Sequence, residues 1–264
     1  MTDRVVVTID SGVARVTLNR ADKRNGLDLA MFEGLVAAGL ALKQDTSVRA
    51  VVLHGDGKAF CAGLDFQWFM SNPTESSKLL ERPADSPANT AQRVAWIWQE
   101  VPVPVIAVLH GAVFGGGMQI ALGADIRYAT PDAQLSVMEI KWGLIPDMSI
   151  TQTLPRLVSI DVAKELMFTG RIVSGTEAAE LGLVTRVCDD PLAAALETAE
   201  TIACKSPTAI RAGKAMWLQT RGASIAEALR IETELQLPLL GSANQIEAVQ
   251  ANLMKRPPKF TDPE

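Results

Sequence analysis

Three consecutive glycines, Gly115-Gly116-Gly117, form the segment whose residue types most directly indicate chemistry. They follow a predicted strand and begin a predicted helix that extends through Leu122. Glycines at the start of a helix expose backbone N–H groups that no helical carbonyl can accept, and such groups bind anions or developing negative charge. The run fits neither G-x-G-x-x-G nor a Walker loop, because no Lys-Ser/Thr pair follows it. Taken alone, it predicts either an anion site or a tight helix-packing contact.

A second segment of small residues, Ala59-Phe60-Cys61-Ala62-Gly63-Leu64-Asp65, follows a predicted strand and turn. Small side chains let another backbone or a ligand approach closely. Read alone, the segment is equally compatible with a packed turn.

Nucleophilic and metal-dependent catalysis find little support in the residue types. The chain has two histidines, His54 and His110, and no G-x-S-x-G elbow, which disfavours both a His-rich metal site and a Ser-His-Asp triad. The three cysteines, Cys61, Cys188 and Cys204, are too widely spaced for a metal knuckle or a disulfide framework. We predict that both histidines are structural, that Cys61 is a small buried residue, and that no metal is bound.

The composition restricts the class of protein further. The 264 residues are 48% hydrophobic and 21% charged, which is typical of a globular chain with a substantial core. A net charge of -5 disfavours nucleic acid as a partner, and no apolar run reaches the length of a membrane span. The N-terminal Met1-Thr2-Asp3-Arg4 carries no signal-peptide pattern. We therefore expect a cytoplasmic protein with neither a nucleic-acid nor a membrane partner.

Strands and helices alternate in the first half of the chain, whereas the last third is helical. This alternation predicts an α/β layer architecture. Ser71 to Pro87, rich in Ser, Pro, Asn and Glu, is predicted to be a loop and a candidate lid. The predicted strands cover residues 5–9, 13–18, 50–53, 105–109, 126–129 and 134–137. The predicted helices are one capped by Asp28, one capped by Thr176, and residues 93–100, 115–122, 191–204, 206–220, 224–237 and 245–254.

Five motifs, taken together, resemble those of the crotonase (enoyl-CoA hydratase/isomerase) superfamily. Asn19 to Asp28, with the sequence Asn-Arg-Ala-Asp-Lys-Arg-Asn-Gly-Leu-Asp, resembles the early signature of the family. Ala59 to Asp65 is similar to its second motif, and His110 to Gly117 is similar to its third. Phe168 to Val184 resembles a fourth, and Arg256-Pro257-Pro258-Lys259-Phe260 resembles the C-terminal motif. The motifs follow the family order over nearly the whole chain.

The resemblance implies a fold of the α/β class, a crotonase-like spiral of ββα turns. Residues 1–200 would form the core with the CoA and acyl site, and residues 201–264 a helical C-terminal trimerisation region. The implied assembly is a homotrimer or a hexamer built as a dimer of trimers. The implied substrate is an acyl-CoA thioester of fatty acid metabolism such as β-oxidation. No cofactor is implied beyond the coenzyme A that the substrate carries.

The same resemblance assigns roles by motif position. The backbone N–H groups of Leu64 and Gly116 would form an oxyanion hole for the thioester oxygen as an enolate develops. A preorganised donor of this kind contributes roughly 10²–10³ in rate. Lys23 and Arg24 would meet the CoA phosphates, although an ordinary solvated surface pair is the alternative. The residues implied for CoA binding are Lys23, Arg24, Ala62, Asp65 and Phe260.

Members of the family differ in the acids around the enolate. Standard hydratases carry two glutamates, and here those positions hold Gln119 and Glu139. A neutral amide can hydrogen-bond a water but cannot usefully accept its proton. Asp147 lies eight residues after Glu139, which is similar to dienoyl-CoA isomerases, although these also carry an acid at the position of Gln119. Asp125 resembles the family without indicating one reaction, and we interpret it as structural.

Residue type alone leaves other roles open for these side chains. Gln119 also fits a helix-face residue, Glu139 a salt-bridged surface acid, and Asp147 a turn or cap residue.

We predict an enoyl- or dienoyl-CoA double-bond isomerase. Two carboxylates on opposite sides of an extended enolate can move a proton without water, and an apolar pocket tunes their pKa values toward neutrality. Glu139 is predicted as the principal proton-transfer residue and Asp147 as its partner. Trp68, Met138 and Trp142 are predicted to line the acyl pocket.

Three alternatives stay open. The first is an enoyl-CoA hydratase (lyase) that uses Glu139, with Gln119 orienting the water. The second is a non-catalytic acyl-CoA binding protein, suggested by the missing acid at position 119. The third is a hydrolase-like use of Asp147 as a nucleophile.

Overall fold

The computed structural model describes residues 3–84 and 86–263. Met1 and Thr2 of the predicted N-terminal segment, Asp85 of the predicted loop, and Glu264 lie outside the described residues. The strands are β1 (Val5–Asp10), β2 (Val13–Leu18), β3 (Ala50–Gly55), β4 (Val105–Leu109), β5 (Ala112–Phe114), β6 (Ile126–Ala129), β7 (Gln134–Ser136), β8 (Val173–Ser174) and β9 (Arg186–Val187).

The helices occupy the intervals between strands and nearly all of the C-terminal third. The α-helices are α1 (Leu29–Gln44), α2 (Phe66–Ser71), α3 (Pro73–Lys78), α4 (Thr90–Glu100), α5 (Gly116–Gly123), α6 (Ile150–Thr153), α7 (Ile160–Thr169), α8 (Gly175–Glu180), α9 (Pro191–Ala203), α10 (Pro207–Gln219), α11 (Ile225–Gln236) and α12 (Ala243–Leu253). Short 3₁₀ helices cover Ala21–Lys23, Glu139–Trp142, Leu154–Arg156 and Leu237–Leu239. Within the described residues, no helix is both long and apolar enough to cross a membrane.

Two sheets organise the first two thirds of the chain. The larger has the strand order β1-β2-β3-β4-β6-β9, and the smaller has the order β5-β7-β8. The predicted hairpin is present: β1 and β2 pair antiparallel, and Ser11 and Gly12 make its turn with φ values of 50° and 79°. From β2 to β9 the pairing in the larger sheet is parallel.

Each turn of the spiral contributes one strand to the larger sheet and then one extended segment to a second layer, which contains the smaller sheet. β4 is followed by β5, and β6 is followed by β7. The two earlier turns follow the same pattern, but their extended segments join the second layer through isolated β-bridges. Cys61 pairs with Val113 of β5, and Leu27 pairs with Leu64. The spiral of ββα turns that the motifs predict is therefore present.

The central strands are buried on both faces, as parallel strands covered by helices usually are. Val51 and Leu53 of β3 face the main core beneath α1 and α4, whereas Ala50 and Val52 face the other way. The alternation follows from the two-residue period of a strand. On that opposite face, α9 packs its small alanines against the sheet. The predicted boundary at residue 200 falls inside this helix, and the two-part division itself stays a prediction.

Some local predictions were wrong. The segment from Ser71 to Pro87 is not all loop, because α2 extends through Ser71 and α3 follows at once. Pro73 suits the first position of a helix, and Glu75 pairs with Lys78 one turn later at 2.9 Å. The cap of α8 is Ser174, whose hydroxyl accepts from the backbone N–H of Glu177, and not Thr176. Strands β5, β8 and β9 were not predicted, because two or three residues are too few to show a period.

Lys214 of α10 connects the C-terminal helices to the core. Its Nζ donates to the carbonyl oxygens of Trp98 at 2.8 Å and Val103 at 2.9 Å, and to Oδ2 of Asp125 at 2.6 Å. Asp125 also accepts from the backbone N–H of Val105 at 2.8 Å. Burial lowers the pKa of Lys214, whereas the charge of Asp125 acts in the opposite direction. These contacts confirm the structural role predicted for Asp125.

Replacing Lys214 with Met should lower the free energy of unfolding by about 3 kcal/mol, the lower end for a broken buried pair, because Asp125 would lose its charged partner. Urea unfolding at a fixed protein concentration measures the change. Lys43→Met is the matched control: Lys43 pairs with Glu100 at 2.9 Å, but its side chain is 39% exposed. The control should cost about 1 kcal/mol or less. Equal losses in the two variants would contradict the anchoring role of Lys214.

Candidate active site

Two backbone N–H groups, those of Leu64 and Gly116, meet at the N-terminus of α5. The hydrogen bonds from Leu27 N to Gly63 O and from Asp65 N to Leu27 O, both 2.9 Å, flank Leu64 and leave its own N–H unused. Gly116 is the first residue of α5, so its N–H has no helical acceptor. Within the described residues, neither group donates a hydrogen bond. The pair is therefore available to a developing oxyanion.

Glycines allow the segment that ends in Leu64 to approach the start of α5 closely. A Cβ on Gly63 would lie 2.7 Å from the carbonyl oxygen of Phe114, and a Cβ on Gly117 would lie 2.4 Å from that of Cys61. Gly115 adopts φ 52° and ψ -117°, in the left-handed half of φ space that favours glycine. The glycine run is thus a tight packing contact, and the same contact presents the N–H group of Gly116.

A cavity of about 690 Å³ opens beside the N–H pair. This size is usual for small-molecule sites. Leu64, Gly116, Gln119, Glu139 and Asp147 all line it, so the chain folds five predicted site residues around one space. Most of the remaining lining is apolar.

Glu139 begins the 3₁₀ helix after β7, and its carboxylate faces α5. A Cβ on Gly115 would lie 3.2 Å from Oε1 of Glu139, so the glycine leaves room for the acid. Oε2 is buried and has no hydrogen-bond partner among the described residues. Burial raises the pKa of Glu139, and the charge of Asp147 raises it further, whereas the hydrogen bond from Gln119 opposes the rise. A raised pKa and an oxygen without a hydrogen bond are properties expected of a group that exchanges protons.

Asp147 reaches the cavity from the segment between the 3₁₀ helix and α6. The residue is exposed to solvent in the free chain, but its carboxyl stands among the side chains of the cavity wall. Partial dehydration there raises the pKa of Asp147. The cavity thus holds two carboxyl groups whose pKa values are both shifted upward.

Gln119 lies on α5 and is 1% exposed. Its Nε2 donates to Oε1 of Glu139 at 2.7 Å, and its Oε1 accepts from the backbone N–H of Met148 at 2.8 Å. The predicted alternative of a simple helix-face residue is wrong, because both ends of the amide are bonded.

The residues predicted for CoA binding are dispersed. Ala62 lines the cavity, and its N–H donates to the carbonyl of Arg24 at 2.9 Å. The side chains of Lys23 and Arg24 are exposed next to it. Asp65 does not line the cavity: it bonds Arg20 at 2.8 Å and caps α2 through the N–H of Trp68.

Phe260 is also outside the cavity lining. It lies in the C-terminal tail, where its carbonyl accepts from Arg49 at 3.2 Å. The CoA-binding roles of Phe260 and the residues above stay predictions.

Two of the three predicted acyl-pocket residues line the cavity. Met138 and Trp142 do so, and Trp142 stacks on Phe66 with ring centroids 4.2 Å apart. Trp68 does not; it packs edge-on against Phe69. Further lining residues were not predicted, and they come from several parts of the chain. They include Phe32, Phe66, Leu79, Leu80 and Ile172, of which only Leu79 and Leu80 lie in the segment predicted to be a loop.

The histidines and Cys61 lie elsewhere and have structural partners. His54 bonds the hydroxyl of Thr17 at 2.9 Å, and His110 bonds the carbonyl of Gly57 at 3.1 Å. Burial raises the pKa of Cys61 to about 12, which keeps its thiol protonated and poorly nucleophilic. Among the residues that the structure describes, no group of three or more His, Cys, Asp or Glu is arranged to hold a metal ion.

Comparison with known proteins agrees with this geometry. The family described as enoyl-CoA hydratase/isomerase matches residues 8–263. The chain is 35% identical to a peroxisomal Delta(3,5)-Delta(2,4)-dienoyl-CoA isomerase of Arabidopsis thaliana, over 95% of this chain and 93% of that protein. It is 33% identical to the mitochondrial Delta(3,5)-Delta(2,4)-dienoyl-CoA isomerase of Rattus norvegicus, over 96% of this chain and 80% of that one.

The fold matches a solved structure equally well. The crystal structure of an enoyl-CoA hydratase from Bacillus anthracis superposes with a TM-score of 0.88 at 30% identity, covering 97% of this chain and 98% of that one. The motifs, the spiral fold and the sequence match agree, and the chain belongs to the enoyl-CoA hydratase/isomerase family.

Proposed function

We propose that this protein is a dienoyl-CoA isomerase that shifts a 3,5-diene of an acyl-CoA thioester to a 2,4-diene. One observation carries the proposal: two carboxyl groups with raised pKa values, Glu139 and Asp147, share a cavity with an unbonded pair of backbone N–H groups. The relatives that are named for this reaction support it. A role in fatty acid β-oxidation fits the same reaction.

The reaction requires one proton to leave and one to arrive. The thioester oxygen would accept hydrogen bonds from the N–H groups of Leu64 and Gly116. A carboxylate then removes a proton from C2, and the electron pair spreads over the diene to give an extended enolate. The negative charge collects on the oxygen held by the two N–H groups. The second carboxyl delivers a proton to C6, which leaves double bonds at C2 and C4 and regenerates the carbonyl.

Glu139 and Asp147 suit these two steps because neither forms an ion pair with another described residue. Oε2 of Glu139 is buried without a partner among the described residues, and the substrate carbon chain would complete its surroundings. The only positively charged residue among the described lining is Lys141, whose Nζ stands 5.5 Å from the centroid of the Trp142 ring. Burial beside the apolar wall raises the pKa of Glu139, and the partial burial of Asp147 raises its pKa as well, which favours proton exchange by the two groups.

The hydratase alternative has weaker support. Hydration needs a second group that activates water, and Gln119 stands where standard hydratases carry that acid. The oxygen of the Gln119 amide already accepts from Met148 N at 2.8 Å. The relative from Bacillus anthracis is named a hydratase, so the product must be measured directly.

A homotrimer, or a hexamer built from two trimers, is the assembly that we propose. The helices from α10 onward expose large apolar side chains to solvent in the single chain. Trp217 is 73% exposed, Ile225 83% and Leu253 79%. Extended apolar surfaces of this kind mark contacts between proteins.

A cytoplasmic location is proposed from the three free cysteines, which suit a reducing compartment.

Glu139→Gln and Asp147→Asn should each lower the isomerisation rate of 3,5-dienoyl-CoA by about 10²–10⁴-fold, the usual contribution of a general acid or base. The assay follows 2,4-dienoyl-CoA by absorbance and deuterium incorporation in deuterated water. Glu180→Gln, at an exposed glutamate of α8, is the control and should keep the wild-type rate.

Analysis of the reaction products distinguishes the isomerase from the three alternatives. Rapid formation of 3-hydroxyacyl-CoA from 2-enoyl-CoA that survives Asp147→Asn would establish the hydratase and refute the isomerase. Tight binding of acyl-CoA without turnover on any of these substrates would favour the binding protein. An ester trapped on Asp147 would indicate nucleophilic catalysis.

The assembly is tested by a variant of the apolar helical surface. The wild type should sediment as three or six copies, and Trp217→Ser combined with Leu253→Asp should shift it toward single chains. Analytical ultracentrifugation measures the shift. Ile9→Thr alters an exposed apolar residue of the edge strand β1 and should leave the assembly intact. A monomeric wild type at micromolar concentration would contradict this proposal.

A further inference from the structure

Gln119 touches both acid-bearing segments at once. Its Nε2 donates to Oε1 of Glu139 at 2.7 Å, and its Oε1 accepts at 2.8 Å from the backbone N–H of Met148, the residue next to Asp147. These two contacts use both ends of one amide, on a side chain that is 1% exposed.

We propose that Gln119 is a positioning residue: it fixes the Glu139 carboxylate and the Asp147 segment relative to each other on the rigid start of α5. The inference rests on the proposed isomerase activity. It assigns to Gln119 a role different from orienting water.

The two hydrogen bonds of Gln119 to Glu139 and Met148, which we call the bridge, start from a rigid helix. Gln119 stands one turn into α5, where its N–H donates to the carbonyl of Gly115 at 3.0 Å. The whole of α5 is buried, so the amide cannot turn toward solvent without breaking both bonds. The bond to Glu139 occupies Oε1, and Oε2 has no partner among the described residues. Gln119 thus holds one oxygen of the Glu139 carboxylate and leaves the other without a hydrogen bond in the described part of the chain.

A neutral amide is suited to this role in a way that a carboxylate is not. An amide donates at one end and accepts at the other, whereas an ionised carboxylate only accepts. A glutamate at position 119 would place two carboxyl groups in direct contact, and one of them would have to keep a proton. The charged residues that line the cavity beside Glu139 are Asp147 and Lys141, within the described chain. Ionisation of a third acid would therefore add to an excess of negative charge.

The bridge also affects the proton affinity of the base. Burial raises the pKa of Glu139, and the bond from Gln119 counteracts part of that rise because it stabilises the ionised form. Removing the donor should raise the pKa further. A base must be ionised to act, so the acid limb of the rate profile should then move to higher pH.

Two variants of Gln119 test the bridge, with one matched control. Gln119→Met keeps the size of the side chain and removes both bonds. Gln119→Glu can donate a hydrogen bond only while a proton is shared between the carboxyl introduced at position 119 and the carboxyl of Glu139. Gln99→Met is the control: Gln99 is also buried, and its amide donates to the carbonyl of Gly123 at the other end of α5, at 2.5 Å, away from both acids.

Gln119→Met should lower kcat by about 10²-fold, the order expected when a reacting group is misplaced by about 1 Å, with little change in KM. Its acid limb should move to higher pH. Gln119→Glu should approach wild-type activity at low pH, where the substituted carboxyl keeps a proton that it can donate to Glu139, and should lose activity as that proton leaves. Gln99→Met should leave the shape of the pH profile unchanged, although it lowers stability.

A direct titration separates this inference from the proposed function. Carbon-13 labelled glutamate side chains report the pKa of Glu139, and Glu139→Gln identifies its resonance. The pKa should be higher in Gln119→Met than in the wild type and unchanged in Gln99→Met. If the wild type does not isomerise dienoyl-CoA, the proposed function fails, and this titration still tests the contact.

Two results would overturn the positioning role. One is an unchanged Glu139 pKa together with an unchanged kcat in Gln119→Met. The other is a Gln119→Glu variant that hydrates 2-enoyl-CoA faster than the wild type isomerises dienoyl-CoA, because position 119 would then be the water-activating site.

Discussion

The close approach of the start of α5 to the segment that ends in Leu64 is the contact on which the rest of the site depends. It is possible only because Gly63 and Gly117 carry no side chain where the opposing backbone passes. A Cβ would lie 2.7 Å from that backbone at Gly63 and 2.4 Å from it at Gly117. The contact brings two unbonded N–H groups from distant parts of the chain to one point. Residues of the same contact, among them Gly63, Leu64 and Gly116, also line the cavity.

Around this contact the protein holds two carboxyl groups beside a mostly apolar cavity: Glu139 is half-buried, and Asp147 is exposed to solvent. Glu139 is the more strongly desolvated of the two, because one of its oxygens is buried without a partner among the described residues. Such a group is stable only where the surrounding structure holds it in place, and unsatisfied buried groups of this kind often mark function. Gln119 supplies one hydrogen bond to the carboxylate without adding charge. The site therefore combines reactivity with fixed geometry.

The sheet and the C-terminal helices make this geometry rigid. The parallel strands are buried on both faces, and α9 covers the face opposite the main core. Lys214 crosses from α10 to the carbonyls and carboxylate of the core, which ties the helical region to the segments that precede β4 and β6. The C-terminal helices leave large apolar side chains exposed, among them Trp217, Ile225 and Leu253.

The sequence by itself determined the family through five motifs, because motif order and spacing are local properties of the chain. The ββα spiral and the roles predicted for Glu139 and Asp147 are what that resemblance implied. Only the tertiary structure decided what Gln119 touches, since its partners lie 20 and 29 residues away. It also decided that Asp65 and Trp68 lie outside the cavity lining, while Phe32 and Leu79 belong to it. Side-chain direction in short helices and loops depends on packing, which no local pattern encodes.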